Sequence, residues 1–95
     1  LNLNENSNRY LVIDFFAQWC KPCKVIAPEF VRMAGEYSNL SFLKVDVDKC
    51  DTVADEYNIG SLPTFLFLDR ENKQVVHRIE GTDMEQLEKN CKKYN

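Results

Sequence analysis

Apolar residues crowd the segment 10–16 (YLVIDFF), which is hydrophobic on both faces apart from Asp14. A strand covered by other structure on both sides reads this way. The period then changes: Val25, Ile26, Phe30, Met33 and Ala34 recur at helical spacing and predict an amphipathic helix over 22–37. Pro22 suits a first helical position, where its missing N–H costs nothing, and Pro28 should kink the interior. Residues 41–47 (SFLKVDV), rich in β-branched and aromatic side chains, predict a second strand. Asp48 is placed to cap a short helix through Tyr57, with Val53, Ala54 and Tyr57 on one face. Gly60-Ser61-Leu62-Pro63-Thr64 breaks the chain before a third strand at 64–68 (TFLFL). A polar turn over 69–73 makes a hairpin with a fourth strand at 74–79, which Gly81 closes. Thr82 with Glu85 forms a capping box for a last helix to about Tyr94, with Met84, Leu87 and Cys91 inward.

The order β-α-β-α-β-β-α predicts an α/β sandwich, a mixed sheet with helices on both faces. The first two strands, joined through a helix, should be parallel and the last two antiparallel. Ninety-five residues, 44% of them hydrophobic, fit one domain over 1–95 with a real core. Residues 1–8 (LNLNENSN) read as a polar lead-in. No apolar run approaches the ~18–20 residues of a membrane span. The formal charge of −3, from 12 Lys+Arg against 15 Asp+Glu, gives no basic face for nucleic acid.

Four cysteines and a single histidine, His77, narrow the chemistry. Of the three possible pairings, only Cys20 and Cys23 are close neighbours; Cys50 and Cys91 lie well apart in sequence. Cys20-Lys21-Pro22-Cys23 falls between a buried strand and a helix, where unpaired backbone N–H groups and the helix dipole stabilise a thiolate. Zinc sites also use CxxC, but they need a second ligand pair, and the sequence has no second CxxC, CxxH or HxxxH. A dithiol redox site with no metal is the reading, and structural zinc or an inert cysteine pair the alternatives.

WCKPCK preceded by VIDFFAQ, Lys44 in FLKVDVD, then SLPTF and a late Gly81 together resemble the thioredoxin family, in order and spacing, from about Asn8 to the C-terminus. The resemblance implies a thioredoxin fold and a disulfide oxidoreductase without a bound cofactor. Cys20 matches the nucleophile that attacks a substrate disulfide, and Cys23 the thiol that resolves the mixed disulfide. Asp14 matches the family's buried carboxylate; desolvation should raise its pKa and suit it to take a proton from Cys23. Lys44 matches its partner. The plainer alternatives are a simple Asp14–Lys44 pair, or a solvated strand lysine at 44. Pro63 matches the family's cis-proline, which would present Leu62 and Thr64 to a bound peptide. Trp19, Lys21 and Pro22 would flank the cysteines, and Gly60, Leu62 and Gly81 would line the same groove. Cys50 would start the short helix in a partly exposed place, and Cys91 would be a buried structural thiol.

The implied partners are protein disulfides as substrates and a separate flavoprotein reductase, or another dithiol, as electron donor. The Asn-rich lead-in with WCKPC is also similar to thioredoxin-like proteins attached to the protein-export machinery of malaria parasites. That likeness implies an export complex and a vacuolar location. A non-catalytic alternative is a thioredoxin-like docking module of a larger assembly, which would have no need of the cysteine pair, Asp14 and Pro63 together. Family members begin with a further strand and helix, of which only a remnant of the helix fits in 1–8. The missing strand would lie beside 41–47, and the natural protein is expected to supply it upstream.

Lys21 stands where the family commonly has Gly, and Phe16 where it usually has Trp. A cation beside Cys20 should favour its thiolate and make the disulfide a better oxidant, unless the lysine faces solvent and is screened. Lys21→Gly should therefore raise the Cys20 pKa and lower the reduction potential of the couple. Thiol titration and redox equilibration read the two quantities, and no change in either contradicts the expectation.

Overall fold

The structure, a computed structural model, describes residues 8–95. Its elements are β1 (Tyr10–Phe16), α1 (Lys21–Glu36), β2 (Ser41–Asp46), α2 (Asp51–Glu56), β3 (Thr64–Asp69), β4 (Gln74–Glu80) and α3 (Met84–Tyr94). The described strands form one mixed sheet in the order β2-β1-β3-β4. β1 and β2, joined by the α1 crossover, pair in parallel with Asp14 opposite Lys44. β3 returns antiparallel to β1 and places Phe65 opposite Asp14. The β3–β4 hairpin is antiparallel, with Lys73 in the left-handed region at φ 56°. Of the predicted lead-in at 1–8, only Asn8 is among the described residues. Its backbone N–H donates to Ser41 Oγ (3.2 Å), and its side-chain amide donates to the Ser38 carbonyl (3.2 Å).

Strand alternation divides the core into two layers. Val12, Phe42, Phe65, Phe67 and Ile79 face Ile26, Phe30 and Met33 of α1 and Leu87 and Cys91 of α3. Ile13, Phe15, Val45 and Leu66 face the other way, toward Tyr57 and Ile59 at the end of α2. The Phe30 ring meets Phe42 edge-on at 5.3 Å and lies 5.7 Å from Phe65, so one side chain of α1 ties two strands together. Both faces of β1 are thus covered, as its apolar run predicts.

As expected, Pro28 falls inside the helix. Four details differ from the sequence reading. Val25 is 72% exposed, because the buried stripe of α1 runs through Cys23, Ile26, Phe30 and Met33 at steps of three and four, which leaves 25 on the outer side. Cys50, not Asp48, is the N-cap of α2, and its side chain makes no capping bond. Ala54 is the buried residue of α2, whereas Val53 is exposed. The cap of α3 is Asp83, whose carboxylate accepts from the Gln86 N–H (3.1 Å), one residue beyond the expected Thr82.

The hairpin turn is organised by Asp69, a buried carboxylate at the end of β3. It accepts from the Arg9 guanidinium (3.1 and 2.9 Å), the backbone N–H groups of Glu71 (3.0 Å) and Asn72 (3.3 Å), and the Asn72 amide (2.9 Å). These donors, Arg9 foremost, hold its pKa well below the usual carboxylate range. The stability this provides is complete above about pH 4, where the unfolded carboxylate is ionised, and is lost as pH falls toward the depressed value. Asp69→Asn should therefore lower the urea midpoint at pH 7 and flatten the loss of stability below about pH 4. Equal acid sensitivity in the two proteins would contradict this.

Candidate active site

Past Phe16 the chain leaves the sheet and turns, with the Cys20 N–H donating to the Ala17 carbonyl (3.1 Å). Cys20 is the N-cap of α1, in extended backbone conformation, and its Sγ accepts from the Cys23 N–H at 3.3 Å. Pro22, in the first turn, withdraws no bond the helix needs. No acidic side chain lies in that turn, so the positive end of the helix dipole is not offset. Cys20 and Cys23 are joined in a disulfide with their Cα atoms 5.3 Å apart, and each residue is 4% exposed. In the dithiol state the same N-terminus favours a thiolate at Cys20.

A groove of about 470 Å³ opens beside Cys20, lined by Trp19, Lys21 and Pro22 on one side and Val47, Ile59, Gly60 and Leu62 on the other. Trp19 is 71% exposed and is held by its indole N–H, which donates to Asp48 at 2.9 Å. Asp48 serves here rather than as a helix cap. Lys21 is exposed at the groove's edge. The Leu62–Pro63 peptide is cis. Leu62 reaches the groove, whereas Pro63 and Thr64 are buried behind it. The Thr64 hydroxyl is occupied, donating to the Ser61 carbonyl at 2.6 Å, so its side chain shapes the loop instead of facing a peptide. Gly81 is likewise absent from the groove's lining. Its N–H donates to the Pro63 carbonyl at 2.9 Å, and its φ of 105° requires glycine.

On the other side of the disulfide a smaller recess of about 250 Å³ is lined by Phe16, Ala17, Gln18, Cys23, Lys24, Ala27 and Lys44. Asp14 lies one same-face step along β1 from Phe16, which packs against the cysteine cluster. It is 1% exposed, and neither carboxyl oxygen has a hydrogen-bond partner among the described residues. Burial pushes its pKa up to about 7, against the opposing pull of Lys44. The Lys44 ammonium lies 4.4 Å from the centroid of the Phe16 ring. Asp14 and Lys44 are register partners that feel each other's charge without a hydrogen bond between them.

The remaining cysteines part company. Cys50 is exposed and free; Cys91 is fully buried, and desolvation, with the charge of Glu88 adding to it, pushes its thiol up to about 12. His77 is half-buried against Phe67, and its Nε2 has no partner among the described residues. Val47 and Ile59, two walls of the groove, carry no motif; their only signal is an apolar residue next to a strand or helix end. No helix among the described residues is long and apolar enough to cross a membrane.

A mixed sheet that delivers a cysteine pair to the N-terminus of a covering helix defines a thiol–disulfide exchange domain. The thioredoxin family model matches residues 2–93, and the chain belongs to the thioredoxin family. It is 39% identical over 95 residues to the H-type thioredoxin of Brassica oleracea, a match that covers 100% of this chain and 76% of that protein. A thioredoxin structure from Nicotiana alata superposes with a TM-score of 0.87 at 37% identity, over 94% of this chain and 76% of that one. A 42% identity over 82 residues also links the chain to the peptide-N(4)-(N-acetyl-beta-glucosaminyl)asparagine amidase of Caenorhabditis elegans. That match takes in 86% of this chain but spans 13% of the amidase's length.

A carboxyl that ionises near pH 7 in the folded chain, but near its ordinary value of about 3.9 when unfolded, leaves stability highest below about pH 4. Stability then falls as pH rises and the loss is complete above about 7. Asp14→Asn should unfold at higher urea than the parent at pH 8, by a margin that shrinks to nothing near pH 4. An equal margin at both pH values would show that Asp14 is not held protonated by burial.

Proposed function

We propose that this chain reduces protein disulfides through the Cys20–Cys23 couple. The observation that carries the reading is the placing of Cys20 as the N-cap of α1, beside an apolar groove, with a buried Asp14 on the strand that leads into it. The Cys20 thiolate attacks one sulfur of the substrate disulfide, forming a mixed disulfide and releasing the other sulfur as a thiolate. Asp14 takes the proton of Cys23, whose thiolate then attacks Cys20 Sγ. The second substrate sulfur leaves, two electrons have passed to the substrate, and the chain holds the Cys20–Cys23 disulfide. A pKa of about 7 lets Asp14 both accept and return a proton near neutrality. An extended segment of substrate lies in the groove against Trp19, Ile59 and Leu62, with backbone hydrogen bonds available near Pro63.

A dithiol donor, in this family a flavoprotein reductase, returns the couple to its reduced state. Association with a protein-export complex rests on the Lys21 variant and the Asn-rich lead-in, which lies outside the described residues except for Asn8. It would add a partner without altering this chemistry. A pure docking role has no observation in its favour.

Cys20→Ser should abolish turnover of a small disulfide substrate, whereas Cys23→Ser should retain the first attack and accumulate a mixed disulfide detectable by mass spectrometry. Redox equilibration of the parent should give a single two-electron couple. A potential near about −270 mV fits a reductase, whereas one near about −180 mV would reassign the chain to oxidation or isomerisation. Turnover that survives Cys20→Ser would sink the mechanism.

A further inference from the structure

The segment that forms the far wall of the groove, from Tyr57 to Leu62, is neither helix nor strand, yet it must hold Ile59, Gly60 and Leu62 against Cys20. Its first part is the end of α2. Asn58, at φ 55°, follows the C-cap Tyr57; the Asn58 N–H bonds the Asp55 carbonyl (3.1 Å) and the Ile59 N–H bonds the Ala54 carbonyl (3.0 Å). This pattern closes the helix and is one that asparagine tolerates. It leaves the Tyr57 and Asn58 carbonyls pointing onward without donors from the helix itself.

Arg78 supplies them. It lies on β4 opposite Leu66, on the α2 side of the sheet, and its guanidinium donates to the Tyr57 carbonyl at 2.7 Å and the Asn58 carbonyl at 2.9 Å. Its third nitrogen, Nε, donates to Glu80 at 2.9 Å, and the second Glu80 oxygen accepts from the Ser61 hydroxyl at 3.1 Å. One guanidinium thus fastens the segment directly at 57 and 58 and, through Glu80, at 61. A planar fork with donors on three nitrogens is needed for this; an ammonium has no such geometry. Arg78 makes no contact with the cysteines and lies outside the groove's lining.

We propose that Arg78, acting through Glu80 and Ser61, is a positioning residue that sets the width of the substrate groove. The proposal rests on the groove being the substrate site. It predicts a loss in substrate binding rather than in thiol chemistry, because the braced wall is the substrate's side and not the cysteines'. Arg78→Ala should raise KM for a protein disulfide about threefold to tenfold, the range for one or two lost charge-assisted hydrogen bonds, with kcat changed less than about twofold. The Cys20–Cys23 potential should not move. Arg78→Lys should recover only part of the loss. Amide exchange at Asn58 and Ile59, whose N–H groups are hydrogen-bonded, measured without substrate, should quicken about tenfold in Arg78→Ala.

Unchanged exchange at those amides overturns the brace, whatever the enzyme assay gives. Quickened exchange with an unchanged KM overturns its role in substrate binding. A parallel fall of kcat and stability, with KM untouched, makes Arg78 merely structural and also overturns it. Failure of the parent protein to turn over any disulfide would defeat the functional reading instead, and the exchange measurement would still decide the brace.

Discussion

Strand β1 is hydrogen-bonded on both edges, in parallel to β2 and antiparallel to β3, and covered on both faces. A strand so enclosed has no freedom to slip, because a shift of one residue would exchange Val12 and Asp14 with Ile13 and Phe15 between the two core layers. Everything chemical follows from that fixed register. It sets Asp14 within the α1-side layer, opposite Lys44 and Phe65, and it ends the strand at Phe16 so that the next turn delivers Cys20 to the start of α1. The site lies at the carboxyl end of a central strand beside a helix N-terminus, where α/β sheets place reactive groups because backbone N–H donors converge there.

The two cysteines meet different surroundings although they are three residues apart. Cys20 opens on the larger groove with Trp19, Lys21 and Leu62; Cys23 lines the smaller recess with Phe16, Lys24 and Lys44. The two sulfurs therefore open to different sides of one helix turn. The groove's two walls have different origins as well. One is the rigid first turn of α1, whereas the other is a loop with little regular structure, held by hydrogen bonds from β4, Thr64 and Gly81. A lost bond moves the second wall more readily than the first.

The strands, the helix order and the reactive pair were legible in the sequence because each is written locally: an apolar run, a 3.6-residue period, a CxxC before a helix. Errors came where two local signals compete within a residue or two. Thr82-x-x-Glu85 reads as a capping box, yet Asp83 takes the cap because a carboxylate one position on reaches the Gln86 N–H. Asp48 reads as a helix cap, but the Trp19 indole, 29 residues away in sequence, claims it. Val25 is one residue off the buried stripe. Arg78, Glu80 and Ser61 gave no signal, since their bonds span 19 to 21 residues to a segment whose path only the tertiary structure defines. Arg9 with Asp69, 60 residues apart, is hidden for the same reason.

The relation of Lys44 to Asp14 decides what the carboxyl can do. In register the two are neighbours, and a close pairing would hold Asp14 ionised at low pH. Instead the Lys44 ammonium lies over the Phe16 ring, where the face of the aromatic partly satisfies it, and neither oxygen of Asp14 receives a hydrogen bond from a described residue. Desolvation then outweighs the attraction, and the carboxyl comes to rest near pH 7. Burial of Asp14, and not the attraction of Lys44, thus decides where this carboxyl titrates, and the Phe16 ring two residues along the same strand carries the lysine.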